Sequence, residues 1–154
     1  MIVLKSILHN LMVVAIGLSL ALVGVGVDHW LVINEFRSLT AAVIGGSFIF
    51  VGFLIRVWAT YLFYERRMKV IATRPQETLL TSGPYRFSRN PLYLGGNVFI
   101  FLGAGLLLGS PAALAITAIH LPFIDLFIRR EERQLEQRFG DERARYRRLV
   151  RRWI

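Results

Sequence analysis

The stretch that decides the fold is "LYLGGNVFIFLGAGLLLGSPAALAITAIHLPFIDLFI", residues Leu92–Ile128. It contains two apolar segments, Leu92 to Gly109 and Pro111 to Ile128, joined by little more than Ser110. Each segment is close to the roughly 20 residues that a helix needs to cross the hydrocarbon core of a bilayer. Because exposed backbone groups are costly in lipid, so short a connection predicts two antiparallel helices packed as a tight hairpin.

Two further apolar segments precede this hairpin, from about Ile7 to Val27 and from Leu39 to Tyr64. Hydrophobic residues make up 55% of the 154 residues, and the charges are crowded into short blocks, as is typical when a bilayer is the solvent. We therefore predict an all-α integral membrane protein, a single domain over residues 1–154 with four transmembrane helices and a cytoplasmic tail, residues 129–154. The absence of cysteine excludes disulfides and thiolate chemistry, and three scattered histidines predict no metal site.

The charges of the connecting segments predict the orientation. The connection between the first two spans contains Asp28 and Glu35 against Arg37. Basic residues are concentrated after the second span and after the fourth: Arg66, Arg67, Lys69, Arg74, Arg86, Arg89, and then Arg129, Arg130, Arg133, Arg138, Arg143, Arg145, Arg147, Arg148, Arg151 and Arg152. The positive-inside rule places both termini in the cytoplasm, and the compact chain suggests a bacterial inner membrane. Anionic lipid, and not nucleic acid, accounts for the net charge of +9.

The tail is predicted to form two short helices. Gly140 can close the first and Asp141 can cap the second. In the second, apolar residues recur at helical spacing among arginines: Tyr146, Leu149, Val150 and Trp153. This pattern is typical of an interfacial amphipathic helix that binds anionic lipid.

A second stretch, "GPYRFSRNPLYLGG", Gly83 to Gly96, carries two prolines, two arginines, aromatic rings and glycines. The prolines forbid one continuous helix, and the glycines allow backbone to approach a ligand closely. One interpretation is a re-entry loop whose arginines reach lipid headgroups. The other is a cytoplasmic pocket for a zwitterionic or cationic cofactor, because the hairpin brings Glu131 and Glu132 to the same end. A carboxylate there would pair a ligand amine, and Arg89 a ligand acid group.

The combination of "LLTSGPYRFSRNPLYLGG" and, one hairpin later, "RREERQLEQRFGDERARYRRLVRR" resembles the integral membrane methyltransferases, namely isoprenylcysteine carboxyl methyltransferases and phospholipid N-methyltransferases. The resemblance covers Leu79 to Arg152. It implies S-adenosylmethionine-dependent methyl transfer to a lipophilic acceptor, either a lipid amine or a prenylated or lipid carboxylate, at the cytoplasmic face. A small lipophilic thiol stays open as a third acceptor.

The resemblance also implies the site residues. Arg89 and Glu132 are implied as catalytic, and the cofactor-binding set is Tyr85, Asn90, Pro91, Tyr93, Gly95, Gly96, Glu131, Glu132 and Tyr146. Asn90 stands where the family usually has His. An amide can still donate and accept a hydrogen bond but cannot titrate near neutral pH, so Asn90 is interpreted as a positioning residue and not a base.

Two alternatives stay open. Membrane sterol reductases share a similar carboxyl-terminal pattern but bind NADPH, and a non-catalytic membrane scaffold could keep the pocket without the activity. The oligomeric state cannot be read from the sequence.

Charged and small residues inside the spans allow further predictions. Arg56 is expected to snorkel to the headgroups or else to meet a substrate phosphate or carboxylate. Asp125 is expected to pair with Arg129 one turn on, whereas a direct role for His120 is less expected. The glycines of "FLGAGLLLG" are expected to line the entry of the substrate's apolar tail.

Overall fold

The computed structural model describes residues 1–68, 70 and 78–154. Four long helices dominate it: Ile2–Trp30, Leu39–Glu65, Pro91–Leu108 and Pro111–Leu149, here called the first to fourth helices. Each is long and apolar enough to cross a membrane, and the described residues contain no strand. The predicted all-α membrane fold with four spans is therefore confirmed. Lys69 and Arg74, two of the predicted basic loop residues, lie outside the described residues.

The hairpin forms as predicted, and its turn is closed by local chemistry. Gly109 adopts a left-handed conformation with φ of +64°, which a residue without a side chain takes at little cost. Ser110 then caps the fourth helix by accepting a 3.0 Å hydrogen bond from the amide of Ala113. Asp28 reaches across from the first helix, accepting bonds from the Ser110 hydroxyl and, at 2.9 Å, from the amide of Ala112. Asp28 thus belongs to a helix and is fully buried, where the sequence suggested a loop residue.

Glycines let the second and third helices touch backbone to backbone. A Cβ placed on Gly52 would lie 2.5 Å from the carbonyl oxygen of Gly95, and one on Gly103 would lie 2.7 Å from that of Gly45. Gly105 is covered by the side chain of Leu114, on the fourth helix. Helix packing, and not an opening for a substrate tail, explains the glycines of "FLGAGLLLG".

The third helix contains one wide turn, because residues Leu94–Ile100 have π-helical hydrogen bonding. Immediately before it, Nη1 of Arg56 donates a 2.6 Å hydrogen bond to the carbonyl of Leu92. A side chain inserted into the backbone ladder is an established cause of such distortion. Arg56 is only 8% exposed, so the expectation that it snorkels to the headgroups is wrong.

The fourth helix continues beyond its apolar part, which ends near Ile128, and runs to Leu149. It bends at Gly140, whose φ of 45° and ψ of −119° are not helical, so the predicted break in the tail is confirmed. The helix ends at Leu149, and Val150 is extended. Trp153 therefore lies outside the helix that its spacing suggested. Instead of continuing the helix, the carbonyl groups of Arg151 and Arg152 accept hydrogen bonds from the loop at Ser88–Asn90.

Candidate functional site

The charged end of the bundle, defined by Arg89, Glu132 and the tail, surrounds one buried carboxylate. Glu132, on the fourth helix, is 6% exposed. Its Oε1 lies 3.2 Å from Nη1 of Arg89 and 3.3 Å from Nη2 of Arg143, and its Oε2 accepts a 2.6 Å hydrogen bond from Arg152. The amide nitrogen of Asn90 completes the shell at 3.5 Å. Three cations and an amide therefore converge on a single anion.

The guanidinium groups around Glu132 include hydrogen-bond donors that are not used. Within the part of the chain that the structure describes, four buried guanidinium nitrogens have no hydrogen-bond partner: Nε and Nη1 of Arg89, Nε of Arg143 and Nε of Arg152. The contact of Arg89 with Glu132 is close enough for an ion pair but does not have hydrogen-bond geometry. Because a buried unpaired donor costs about 1–3 kcal/mol, this arrangement is suited to receive a second anion.

Glu131 has different surroundings from its neighbour. Its Oε2 accepts a 2.9 Å hydrogen bond from the hydroxyl of Tyr93, which joins the fourth helix to the third. Burial raises the pKa of the Glu131 carboxyl, and the charge of Glu132 adds to the rise, whereas the Tyr93 bond and the charge of Arg143 oppose it. Glu131 can therefore exchange a proton more readily than an ordinary exposed glutamate near neutral pH.

The carboxyl-terminal segment holds the loop that carries Arg89. The amide of Arg89 donates a 3.0 Å hydrogen bond to the carbonyl of Arg151. The carbonyl of Arg152 accepts from the Ser88 hydroxyl at 3.1 Å and from the Asn90 amide at 3.3 Å. Asn90 thus bridges Glu132 and Arg152, and its role in positioning the cofactor stays a prediction.

Two more contacts brace this end. The hydroxyl of Tyr146 donates a 2.6 Å hydrogen bond to the carbonyl of Tyr85, and burial is the main cause that raises the Tyr146 pKa to about 12. Asp125 pairs with Arg129 at 2.6 Å, as predicted, and also with Arg152 at 3.3 Å. Arg152 therefore links Asp125 to Glu132.

The predicted site residues divide into two groups. Those with polar side chains at the charged end converge around the carboxylate pair: Arg89, Asn90, Tyr93, Glu131 and Glu132. The others shape its surroundings: Tyr85 and Tyr146 join an apolar cluster with Phe63, Pro91 begins the third helix, and Gly95 and Gly96 pack against Arg56.

Sequence reasoning did not single out Arg143 and Arg152, because ten arginines follow Ile128 and nothing in composition separates them. One signal was present for Arg143. It continues the buried and half-buried positions at helical spacing, Glu132, Leu135, Phe139, Arg143 and Tyr146. Arg152 carries no such signal, since it lies beyond the helix.

A separate apolar cleft of about 110 Å³ lies between the first, third and fourth helices, among Gly17, Phe101 and His120. His120 bonds through Nε2 to the side-chain oxygen of Asn97 at 3.0 Å, at the wall of this cleft. Within residues 1–68, 70 and 78–154, no cluster of His, Asp and Glu could hold a metal ion.

Comparison with known proteins identifies the family. No curated protein and no solved structure matches the chain. A family model, described as phospholipid methyltransferase, matches residues 40–142, which is more than half of the chain. The matched part contains Arg56, Arg89 and the pair Glu131 and Glu132. Arg143 and Arg152 lie beyond its end. The protein therefore belongs to the phospholipid methyltransferase family.

Proposed function

We propose that this protein transfers a methyl group from S-adenosylmethionine to a lipid acceptor at the charged end of the bundle. The observation that carries the proposal is the surplus of buried guanidinium donors around Glu132 in a member of a methyltransferase family. By the positive-inside rule, this end faces the cytoplasm, and a bacterial inner membrane is the proposed location.

The residues present fit the amino acid part of this cofactor. The carboxylate of the cofactor would accept hydrogen bonds from the unpaired guanidinium nitrogens of Arg89, Arg143 and Arg152, since carboxylates pair well with guanidinium groups. Glu132 is already engaged by three arginines and Asn90, so we assign it the role of holding the arginines in place.

When bound, S-adenosylmethionine supplies a methyl carbon activated by a sulfonium. The protein's part is orientation, which alone can contribute about 7 to 11 kcal/mol. An acceptor amine must lose a proton, and Glu131 is the proposed proton acceptor because burial raises the pKa of its carboxyl. An acceptor carboxylate would need no base.

The family match favours a methyltransferase over an NADPH-dependent reductase. Calorimetric titration with S-adenosylhomocysteine and, separately, with NADPH tests both ideas. We expect the detergent-purified protein to bind the first ligand and not the second.

Two arginines of one loop give a matched pair of variants for this titration. Arg89 has an 8% exposed side chain, and Arg86 is exposed. Arg89→Gln should weaken S-adenosylhomocysteine binding about ten-fold or more, because it removes a charged donor, and Arg86→Gln should leave it unchanged. Failure of the wild-type protein to bind S-adenosylhomocysteine would refute the proposed function.

A further inference from the structure

Arg56 is a buried cation whose hydrogen-bond partners are neutral. Its Nε donates to the side-chain oxygen of Asn10 at 2.8 Å, and its Nη1 to the carbonyl of Leu92 at 2.6 Å. It is 8% exposed and lies inside the bundle, between the first, second and third helices. Among the described residues, no carboxylate forms an ion pair with it.

Such an arrangement is costly unless a counter-charge arrives. Removing a cation from water costs several kcal/mol, and ionisable residues inside membrane spans usually pair with one another or with backbone carbonyls and mark substrate pathways. A guanidinium carries five N–H donors, and the two hydrogen bonds above use two of them. The missing negative charge is therefore one that a ligand can supply.

The position of Arg56 indicates what kind of anion. A Cβ on Gly96 would lie 2.7 Å from Nη1 of Arg56, and Leu92 is the second residue of the third helix. The guanidinium thus sits beside the end of the bundle that holds Tyr93 and Glu131. Basic residues are concentrated at this end, where the positive-inside rule predicts that anionic headgroups lie.

A polar cluster keeps the guanidinium in place. Asn10 donates to the hydroxyl of Thr60 at 2.8 Å, and that hydroxyl also bonds with Ser6. All three side chains are fully buried. The cluster fixes the guanidinium without neutralising it, which is the pre-organised state expected of a receptor for a charged group.

We propose that Arg56 binds the phosphate of the acceptor phospholipid and so selects acceptors with an anionic headgroup ester. A guanidinium fork is well matched to phosphate oxygens. With the phosphate held there, the headgroup amine extends toward Tyr93 and Glu131. This inference rests on the proposed function, whose cofactor site is formed by different arginines.

The test compares two amine lipids of equal chain length, one with a phosphodiester and one with a neutral linker. Affinity for each is measured in micelles with wild type, Arg56→Gln, Arg56→Lys and, as a matched control, Arg66→Gln at the exposed end of the same helix. The wild-type protein should bind the phosphate lipid about ten-fold more tightly, and Arg56→Gln should abolish that preference. Arg56→Lys should retain part of it, and Arg66→Gln all of it.

Several outcomes would overturn the inference. Equal wild-type affinity for the two lipids would do so without any variant, even if Arg56→Gln failed to fold. A loss of affinity for both lipids alike in Arg56→Gln would assign Arg56 a structural role. Equally tight, Arg56-dependent binding of phosphatidylglycerol, which has the phosphate but no amine, would mean that bulk lipid is the ligand.

The cofactor titration separates this inference from the proposed function. S-adenosylhomocysteine binding should be unchanged in Arg56→Gln. If wild type binds no S-adenosylhomocysteine, the proposed function fails while the lipid preference is still measured. If it binds S-adenosylhomocysteine but shows no phosphate preference, only the role of Arg56 fails.

Discussion

The two ends of the helix bundle each bury a carboxylate, but they surround it in opposite ways. Asp28 is fully buried, and its partners are the hydroxyl of Ser110 and the amide of Ala112. These are neutral donors at the start of the fourth helix, where the helix dipole favours a negative charge. At the charged end, Glu132 meets three guanidinium groups, and four of their nitrogens have no hydrogen-bond partner among the described residues.

The difference distinguishes a carboxylate that caps a helix from one that lies in the proposed cofactor site. Asp28 caps the fourth helix, and each of its two carboxylate oxygens accepts a hydrogen bond from that helix start. The Glu132 group has more buried donors than acceptors among the described residues, and a bound anion could satisfy that surplus. Burial of a carboxylate alone is therefore a weaker sign of a ligand site than burial together with an excess of positive charge and unpaired donors.

Replacing Glu132 should have the largest effect. Glu132→Gln removes the negative charge shared by Arg89, Arg143 and Arg152, and breaking a buried ion pair on one side costs about 3–5 kcal/mol. We expect a lower Tm in detergent and loss of S-adenosylhomocysteine binding. Glu136→Gln is the matched control, because Glu136 lies one turn on and its pair with Arg147 is largely exposed. Similar behaviour of the two variants would contradict the special role of the charged end.

Replacing Asp28 should have a smaller effect of a different kind. Asp28→Ala leaves the Ser110 hydroxyl and the Ala112 amide without their acceptor, which costs about 1–3 kcal/mol in the free energy of unfolding. Asp28→Asn keeps an oxygen acceptor and should recover part of the loss. Glu35→Gln, beside the more exposed Arg37, should leave Tm unchanged. In all three variants, calorimetry should give wild-type affinity for S-adenosylhomocysteine. Weaker binding by folded Asp28→Ala would contradict the claim that Asp28 has only a structural role.

The helices were predictable because their signals are local. Runs of apolar residues predicted the first three helices to within about five residues and the start of the fourth, but not its continuation to Leu149. Gly109, Ser110 and Pro111 carry the turn chemistry of the hairpin. The break at Gly140 was predictable for the same reason, since a glycine before Asp141 combines a stop signal with a cap. In each case the deciding residues are neighbours in the sequence.

The site was predictable only where a motif or the hairpin brought residues together. Arg89 and Glu132 were expected at one end, and they meet there. Arg143, Arg152 and the partners of Arg56 depend on tertiary contacts between distant segments, such as the 46 residues that separate Arg56 from Asn10. One arginine in a basic tail looks like the next until the fold buries it.

Gly95 and Gly96 show why a motif residue can be explained by packing. The first approaches the backbone of Gly52 and the second approaches the guanidinium of Arg56. Neither approach can be seen from the third helix alone. Their contact with the cofactor, expected from the resemblance, stays a prediction.

The smallest expected effect is the pH dependence of stability that Glu131 causes. It tests the charged end through the titration of one of its carboxylates. Burial raises its pKa above the ordinary 4.5, so the folded protein keeps this proton at a pH where the unfolded chain has lost it. Stability should therefore fall as the pH rises from about 4.5 through the folded pKa, and level off above it. Other carboxyls titrate in the same range, so the informative quantity is the difference in Tm between wild type and Glu131→Gln across that window.

The Tm of wild type minus that of Glu131→Gln should be smallest at the upper end of this pH window. There Glu131 is ionised in both the folded and the unfolded state. Glu142→Gln provides the control, because Glu142 is exposed on the same helix, and its difference from wild type should not change in this way. A wild-type advantage that grows with pH would mean that the folded structure favours the ionised carboxylate. Glu131 would then resemble an ordinary paired glutamate, and its proposed role as the proton acceptor would lose its physical basis.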